Sequence, residues 1–367
     1  MLDLFKAVGC LLIVLHHLAF YGPMSDVVAR HWPGPIGWLA DHGRLAVQLF
    51  LVCSGYLTAA SFAKRPEFSL RQLLTFAWRR YLRLALPLLA ALSLAVLVTE
   101  AIRNDFQHPS LSGTPDWPQA LAHVFFLQHV LDMEALSAGV WYVAIDFQLY
   151  LLTLLALWSV SQWVRWHPGW RAEALRVQVF VGLTLLSLLY WNLHADLDLY
   201  GVYFFGAYGM GWLAYRTRRS RRPAKGWVIL AGMGLLALWV DARLRIATSW
   251  SLAVVLAAAP QVWLQSTELP SRWRAAVSLL ARVSYSVFVI HYAVMLAVSA
   301  AVAHWWPQSV FWDGVGMLLT LAVSVLAALG LHRLTEQKSQ DWRHWLFWVG
   351  VFMASCALAM HWGANSG

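Results

Sequence analysis

Residues 2–21 read LDLFKAVGCLLIVLHHLAFY, and their reading decides the fold. The stretch is long and apolar enough to cross a bilayer, yet it carries Asp3, Lys6, His16 and His17. A charged residue near the centre of a membrane helix costs about 2.5–3.5 kcal/mol on insertion scales. Such groups mark a functional site by default. Lys6 and His17 are eleven positions apart. At 100° per residue they share one face, roughly 16 Å apart along the axis. Asp3 lies one turn before Lys6 and is spaced to pair with it. His16 points about 80° away from Lys6. The plainer alternative is a snorkelling lysine and two histidines bonded to neighbouring helices.

The rest of the chain suits the same environment. Its 367 residues are 60% hydrophobic and 12% charged, with mean hydropathy +0.57. A soluble domain has about 25% charged residues. No polar stretch is long enough for a soluble catalytic domain, so any chemistry must come from helix faces and short loops. The expected fold is all-α: one polytopic membrane bundle of about 10–11 transmembrane helices, forming a single domain over residues 1–367. Spans are read at 2–21, 45–63, 84–102, 141–159, 177–193, 200–215, 226–242, 248–264, 283–303, 312–331 and 344–362, the last an additional terminal span. Residues 1–21 outline a signal peptide, but the charged stripe and the lack of a small-x-small cleavage site favour an uncleaved span.

Charge sets the expected orientation. With the N-terminus cytoplasmic, the inward segments hold 22 of the 27 basic residues, including the run Arg216–Lys225. The outward segments hold only Arg30, Arg44, Arg103, Arg243 and Arg245. The positive-inside rule selects this arrangement and puts the C-terminus outside. Residues 118–131 are apolar but interrupted by His123, Gln128 and His129. They read as a re-entrant or outer-surface helix, because a crossing there would turn the arginine run outward. Tyr21, Trp32, Trp38, Trp117, Trp141, Trp305, Trp306, Trp312 and Trp362 form an expected aromatic belt. Cys10, Cys53 and Cys356 lie in apolar runs without ligand spacing and read as buried small residues. No metal site is expected, since His16 and His17 are adjacent rather than at i, i+4.

Several stretches together resemble one family. LDLFKA, with His17 following Lys6, is similar to a first span that typically reads LDGLRA with a histidine beyond the arginine. GRLAVQLFLVCSGYL is similar to GVDLFFVLSGYL. WRRYLRLALP carries an arginine-x-x-arginine pattern at Arg80 and Arg83, with Arg79 beside them. WYVAIDFQLY falls on WSLSVExQFY, matching Trp141, Asp146, Gln148 and Tyr150. VSYSVFVIHY resembles SYSLYLWH, placing Ser284, Tyr285, Ser286 and His291. In this order the five resemble the membrane acyltransferase-3 family over most of the chain. Two residues depart: Lys6 replaces an arginine, keeping the charge without the bidentate fork, and Asp146 replaces a glutamate.

The resemblance implies an O-acyltransferase, most commonly an O-acetyltransferase. Its donor would be cytoplasmic acetyl-CoA or another acyl-CoA. Its acceptor would be a hydroxyl of a carbohydrate or lipid-linked glycan at the outer face of a bacterial inner membrane. Acyl transfer needs a base or an acyl-carrying nucleophile, and histidine does either near neutral pH. Hence His17, Asp146 and Lys6 are the expected catalytic residues. Arg80, Arg83 and Arg79 are expected at the inner face on coenzyme A phosphates; their alternative is a topology anchor. Asp146, near the outer end of its span, would orient His17 or hold the acceptor hydroxyl; its alternative is a structural partner for a histidine or arginine such as Arg44. Asp3, Gln148, Tyr150, Ser284 and His291 would line the substrate passage; the alternative for His291 is a structural bond across helices. Ser54 and Gly55 read as close-packing residues. No nucleic-acid module is visible. The rival reading is a transporter or flippase that uses the intramembrane charges as a proton or substrate path. It would more readily show inverted repeats with broken helices, which this chain lacks.

Overall fold

In the computed structural model, residues 1–65, 67–260 and 270–366 are described. Residues 261–264 of the span expected at 248–264, and Gly367, lie outside them. Among the described residues every regular element is helical. In chain order they are α1 (Leu2–Tyr21), α2 (Pro23–Ala29), α3 (Pro33–His42), α4 (Ala46–Phe62), α5 (Leu70–Ile102), α6 (Trp117–Val124), α7 (Val140–Trp166), α8 (Ala172–Leu189), α9 (Gly201–Arg219), α10 (Pro223–Val240), α11 (Leu244–Ala258), α12 (Ser271–Trp305), α13 (Val310–Thr335) and α14 (Trp342–Ser366).

Among the described residues nine helical stretches are long and apolar enough to cross a membrane. The other two expected spans fall on α9 and α11. At 15 residues α11 is roughly 22 Å long, short of a hydrocarbon core of about 30 Å. The low hydropathy of α9 has a different cause. Its sequence GVYFFGAYGMGWLAYRTRR is glycine-rich and most of it is buried. It packs on α8, α10 and α11, so its surface is selected for close approach rather than for lipid.

Two helices begin earlier than hydropathy suggests. α5 has 33 residues and α12 has 35. The WRRYLR stretch, which precedes the span expected at 84–102, is therefore helical. Hydropathy marks only the apolar part of a helix; arginine, glutamine and leucine favour helix whether or not they are in lipid. By contrast, α6 has eight residues, roughly 12 Å, and does not span. The three cysteines are free and buried.

The chain divides into two compact units. Unit 1 comprises Met1–Lys6, Val47–Tyr81 and Ile145–Arg274. Its α4 and α9 meet backbone to backbone. A Cβ on Gly55 would lie 1.9 Å from the Tyr208 carbonyl oxygen, and one on Gly211 would lie 2.0 Å from that of Val52. Unit 2 comprises Ala7–Ala46, Leu82–Ala144 and Ala275–Gly367. Here α13 buries Gly316, Thr320, Ser324 and Ala328, spaced by four on one face, as membrane helix packing requires. The turn from α1 to α2 is fixed by Ser25, whose hydroxyl donates to the carbonyls of Ala19 and Gly22.

Candidate active site

In unit 2, α1 and α12 bring two buried histidines together. His17 is 3% exposed and His291 is 1% exposed. His17 Nδ1 lies 2.7 Å from His291 Nε2. The ring planes are 19° apart with centroids separated by 4.9 Å, so the rings lie almost edge to edge, as an N–H···N bond demands. The tautomers follow from the remaining partner. His291 Nδ1 is 3.2 Å from the Val287 carbonyl and must donate to it. Neutral His291 then has only a lone pair at Nε2, so His17 Nδ1–H is the donor. His17 Nε2 is left with the free lone pair. A second imidazole thus does for His17 what a carboxylate does for a triad histidine, fixing ring and tautomer.

Neighbours hold this pair. The Cys10 thiol is 3.6 Å from the Ser284 carbonyl and ties α1 to α12. Tyr285 donates to the Leu84 carbonyl at 2.7 Å, tying α12 to α5. Ser284 itself donates to the Ala281 carbonyl within its own helix. Ser286 donates at 2.6 Å to Glu336, which also lies 3.0 Å from His332. His16 faces elsewhere: its Nδ1 is 3.0 Å from the Leu39 carbonyl of α3.

Unit 1 holds a second polar cluster. Arg80 and Asp146 form an ion pair, and the other Asp146 oxygen accepts from the Ser54 hydroxyl at 3.0 Å. The Arg80 guanidinium also sits over the Tyr150 ring, 5.2 Å from its centroid. Arg80 was expected at the inner surface and Asp146 near the outer end of its span. Their contact puts both at one depth. Asp146 meets an arginine, but the partner is Arg80 rather than Arg44. Tyr208, fully buried, lies 3.3 Å from Thr153. Gln148 accepts from the Gly201 amide at 2.7 Å and so caps α9. Asp3 and Lys6 are half-buried in the first turns of α1, and Arg79 is exposed. Arg83, in unit 2, is exposed as well.

Sequence reasoning picked out both histidines but not their pairing, and it assigned Ser54 to packing alone. An arginine was among the expected partners of Asp146, since an intramembrane carboxylate needs a cation, but nothing in the sequence singled out Arg80 or the Ser54 hydroxyl. Among the described residues no group of three or more His, Cys, Asp or Glu side chains has metal-site geometry.

Comparison with known proteins bears on this geometry. A 168-residue stretch is 28% identical to the regulator of hypoxia-inducible factor 1 of Caenorhabditis elegans. It covers 42% of this chain and 33% of that protein, so the match spans about a third of that relative's length. No solved structure matches the chain. The family model described as an acyltransferase domain matches residues 1–329, which hold every polar group of both clusters except Glu336 and His332. By that match over most of its length, this helical membrane protein belongs to the acyltransferase-3 family.

Proposed function

We propose that the chain is an integral membrane O-acyltransferase. It moves an acyl group, most commonly acetyl, from cytoplasmic acyl-CoA to a hydroxyl of a carbohydrate or lipid-linked glycan at the outer face of a bacterial inner membrane. The observation that carries this reading is the His17–His291 pair, which leaves His17 Nε2 with an unshared lone pair in a buried setting. That nitrogen either removes the acceptor proton or carries the acyl group itself. Arg79 and Arg83 are the exposed guanidinium groups for coenzyme A phosphates. Arg80 belongs to the same pattern but engages Asp146, which makes it a positioning group for that segment. Lys6 supplies the positive charge at the family's arginine position. The N-terminus is placed in the cytoplasm and the C-terminus in the periplasm by the basic-residue bias.

The test is transfer of labelled acetyl from acetyl-CoA by the purified protein in liposomes, with candidate glycans outside. Label should pass to a glycan and should not do so with His17→Ala. Label passing equally well with that variant, or no transfer from any acyl-CoA to any hydroxyl acceptor, would overturn the reading.

A further inference from the structure

Unit 1 encloses a cleft lined by no residue of either polar cluster. Its volume is about 290 Å³, mouth included, and its polar wall comes from Gln48 of α4, Asn192, Tyr203 of α9, and Arg245 and Ser249 of α11. Ligand pockets run from roughly 300 to 1,000 Å³, so this one suits a single small head group rather than a whole glycan. The remaining wall is apolar, which strengthens any charge interaction made inside.

Arg245 is the charge in this cleft, and its partners are neutral. Its Nη1 donates to the Tyr203 hydroxyl at 2.6 Å, and its Nη2 to the Asn192 side-chain oxygen at 3.0 Å and backbone carbonyl at 3.2 Å. Its Nε has no hydrogen-bond partner among the described residues. Arg243 donates to the same Asn192 carbonyl at 3.2 Å and is ion-paired with Asp241. One carboxylate therefore serves two guanidinium groups. The helix adds to the imbalance. Arg243 is the N-cap residue of α11 and Arg245 its second residue, the first turn holds no acidic residue, and no side chain caps it. The positive end of a helix disfavours cations and favours anions, so an anion bound there relieves both arginines and the helix end. Gln48 is a second, independent group, 8% exposed. Ser249 Oγ lies 2.7 Å from Gln48 Oε1 and 2.8 Å from the Arg245 carbonyl, and its single proton serves one of the two. Whichever oxygen takes it, at least one Gln48 N–H stays unpaired among the described residues, a costly state for so buried an amide.

We propose that the cleft binds an anionic group of the acceptor, a carboxylate or a phosphate, with Arg245 and the Gln48 amide as its binding residues. The inference rests on the proposed function and its orientation, in which the basic-residue bias turns Arg243 and Arg245 to the outer face, where the acceptor lies. It narrows the acceptor class to acidic glycans: a sugar that carries its own carboxylate, or a glycan whose lipid carrier supplies a phosphate. The guanidinium is preorganised for such a group, because Asn192 is itself held by donating from Nδ2 to the Tyr203 carbonyl at 3.1 Å. No bond is made or broken in the cleft; its part is to hold the acceptor.

The test is thermal stabilisation of the full-length protein in detergent, without acyl-CoA. The probes are glucuronate for the carboxylate source and a polyprenyl phosphate for the phosphate source, with glucose and polyprenol as their neutral counterparts. One of the two anions should raise the melting temperature with concentration, and its neutral counterpart should not; which anion acts names the source. Arg245→Gln should weaken that binding roughly tenfold or more, and Arg245→Lys, which keeps the charge without the fork, should restore part of it. A merely structural Arg245 would shift the melting temperature and leave the response to the probe unchanged. Gln48→Met leaves every Arg245 bond in place and should weaken binding severalfold, so it decides should Arg245→Gln not fold. No response to either anion, an equal response to the neutral counterpart, or unchanged affinity in either variant would overturn the proposal. In the transfer assay, Arg245→Gln should raise KM for an acidic acceptor and leave KM for acetyl-CoA unchanged. If an anion binds but no acyl group is transferred from any donor, the function reading fails and the anion site stands. Transfer by a protein that binds neither anion overturns the site and leaves that reading intact.

Discussion

The Arg80 guanidinium and the Asp146 carboxylate are ion-paired inside unit 1, with side-chain exposures of 22% and 6%. Each is also held by a second group, Arg80 by the Tyr150 ring and Asp146 by the Ser54 hydroxyl. Removing one member of a largely buried pair leaves the other charge uncompensated, at about 3–5 kcal/mol. The partial exposure of Arg80 puts the expected effect at the low end of that range. Arg80→Gln and Asp146→Asn should therefore lower the thermal stability of the detergent-solubilised protein to a similar extent, and the double variant should lose less than the sum. Additive losses would show that the two side chains do not act together.

The exposed arginines should behave differently. Arg79→Gln with Arg83→Gln is expected to weaken coenzyme A binding at unchanged thermal stability, since neither guanidinium is buried. Isothermal titration in detergent separates the two effects. Normal donor affinity in that double variant would return both residues to the role of topology anchors.

The Gly55 position makes a packing prediction. A methyl group 1.9 Å from the Tyr208 carbonyl oxygen has nowhere to go, because backbone lies on both sides. Gly55→Ala should force α4 and α9 apart, at about 1–3 kcal/mol or more. Gly350 in α14 is the control, since a Cβ there meets nothing within 4 Å. Gly350→Ala should leave folding yield and thermal stability unchanged. Equal behaviour of the two variants would refute the close approach.

Much of this was legible in the chain because it is local. Helical periodicity put His17 rather than His16 on the stripe with Lys6, and the structure turns His16 toward Leu39. What was not legible is pairing at long range. His17 and His291 are 274 positions apart, and no helix-face argument says which two faces meet. Arg80 and Asp146 were read as belonging to opposite membrane surfaces because each was placed by the edge of its apolar window. α5 runs on past that window, so the edge does not mark depth. The glycines of α9 lower its hydropathy while fitting it for burial, so the same residues that weaken its membrane signal explain its packing.

His123 gives a pH prediction. Its Nδ1 is 2.8 Å from the Gln119 carbonyl, and its Nε2 accepts from the Leu136 amide at 3.1 Å. Both nitrogens are used by the neutral ring, and a second proton would face the Leu136 N–H. Burial pushes its pKa down from 6.5 to about 4. Between those values the unfolded segment binds a proton that the folded segment excludes. The stabilising effect is thus complete above pH 6.5 and is lost as pH falls toward 4, by roughly 3 kcal/mol. Hydrogen exchange of the Leu136 amide should accelerate over that window. His123→Gln should flatten the response. A Leu136 amide equally protected at pH 4.5 and pH 7.5 would contradict it.

The histidine pair makes the sharpest prediction. His17 Nε2 has the lone pair that chemistry needs, and His291 fixes the tautomer that exposes it. His17→Ala should abolish acyl transfer, because general-base catalysis contributes about 10²–10⁴-fold and a covalent carrier role contributes more. His291→Ala leaves the nitrogen in place but releases the ring. It should lower kcat while leaving KM for acyl-CoA nearly unchanged, and His291→Gln, which retains an acceptor for His17 Nδ1–H, should restore part of the rate. His16→Ala removes only the bond to the Leu39 carbonyl, so its cost should appear as stability rather than turnover. All four variants must first be matched for expression, since each of the three side chains also joins helices. Turnover then decides among them: an inactive His16 variant beside an active His17 variant would reverse the assignment of the reactive nitrogen.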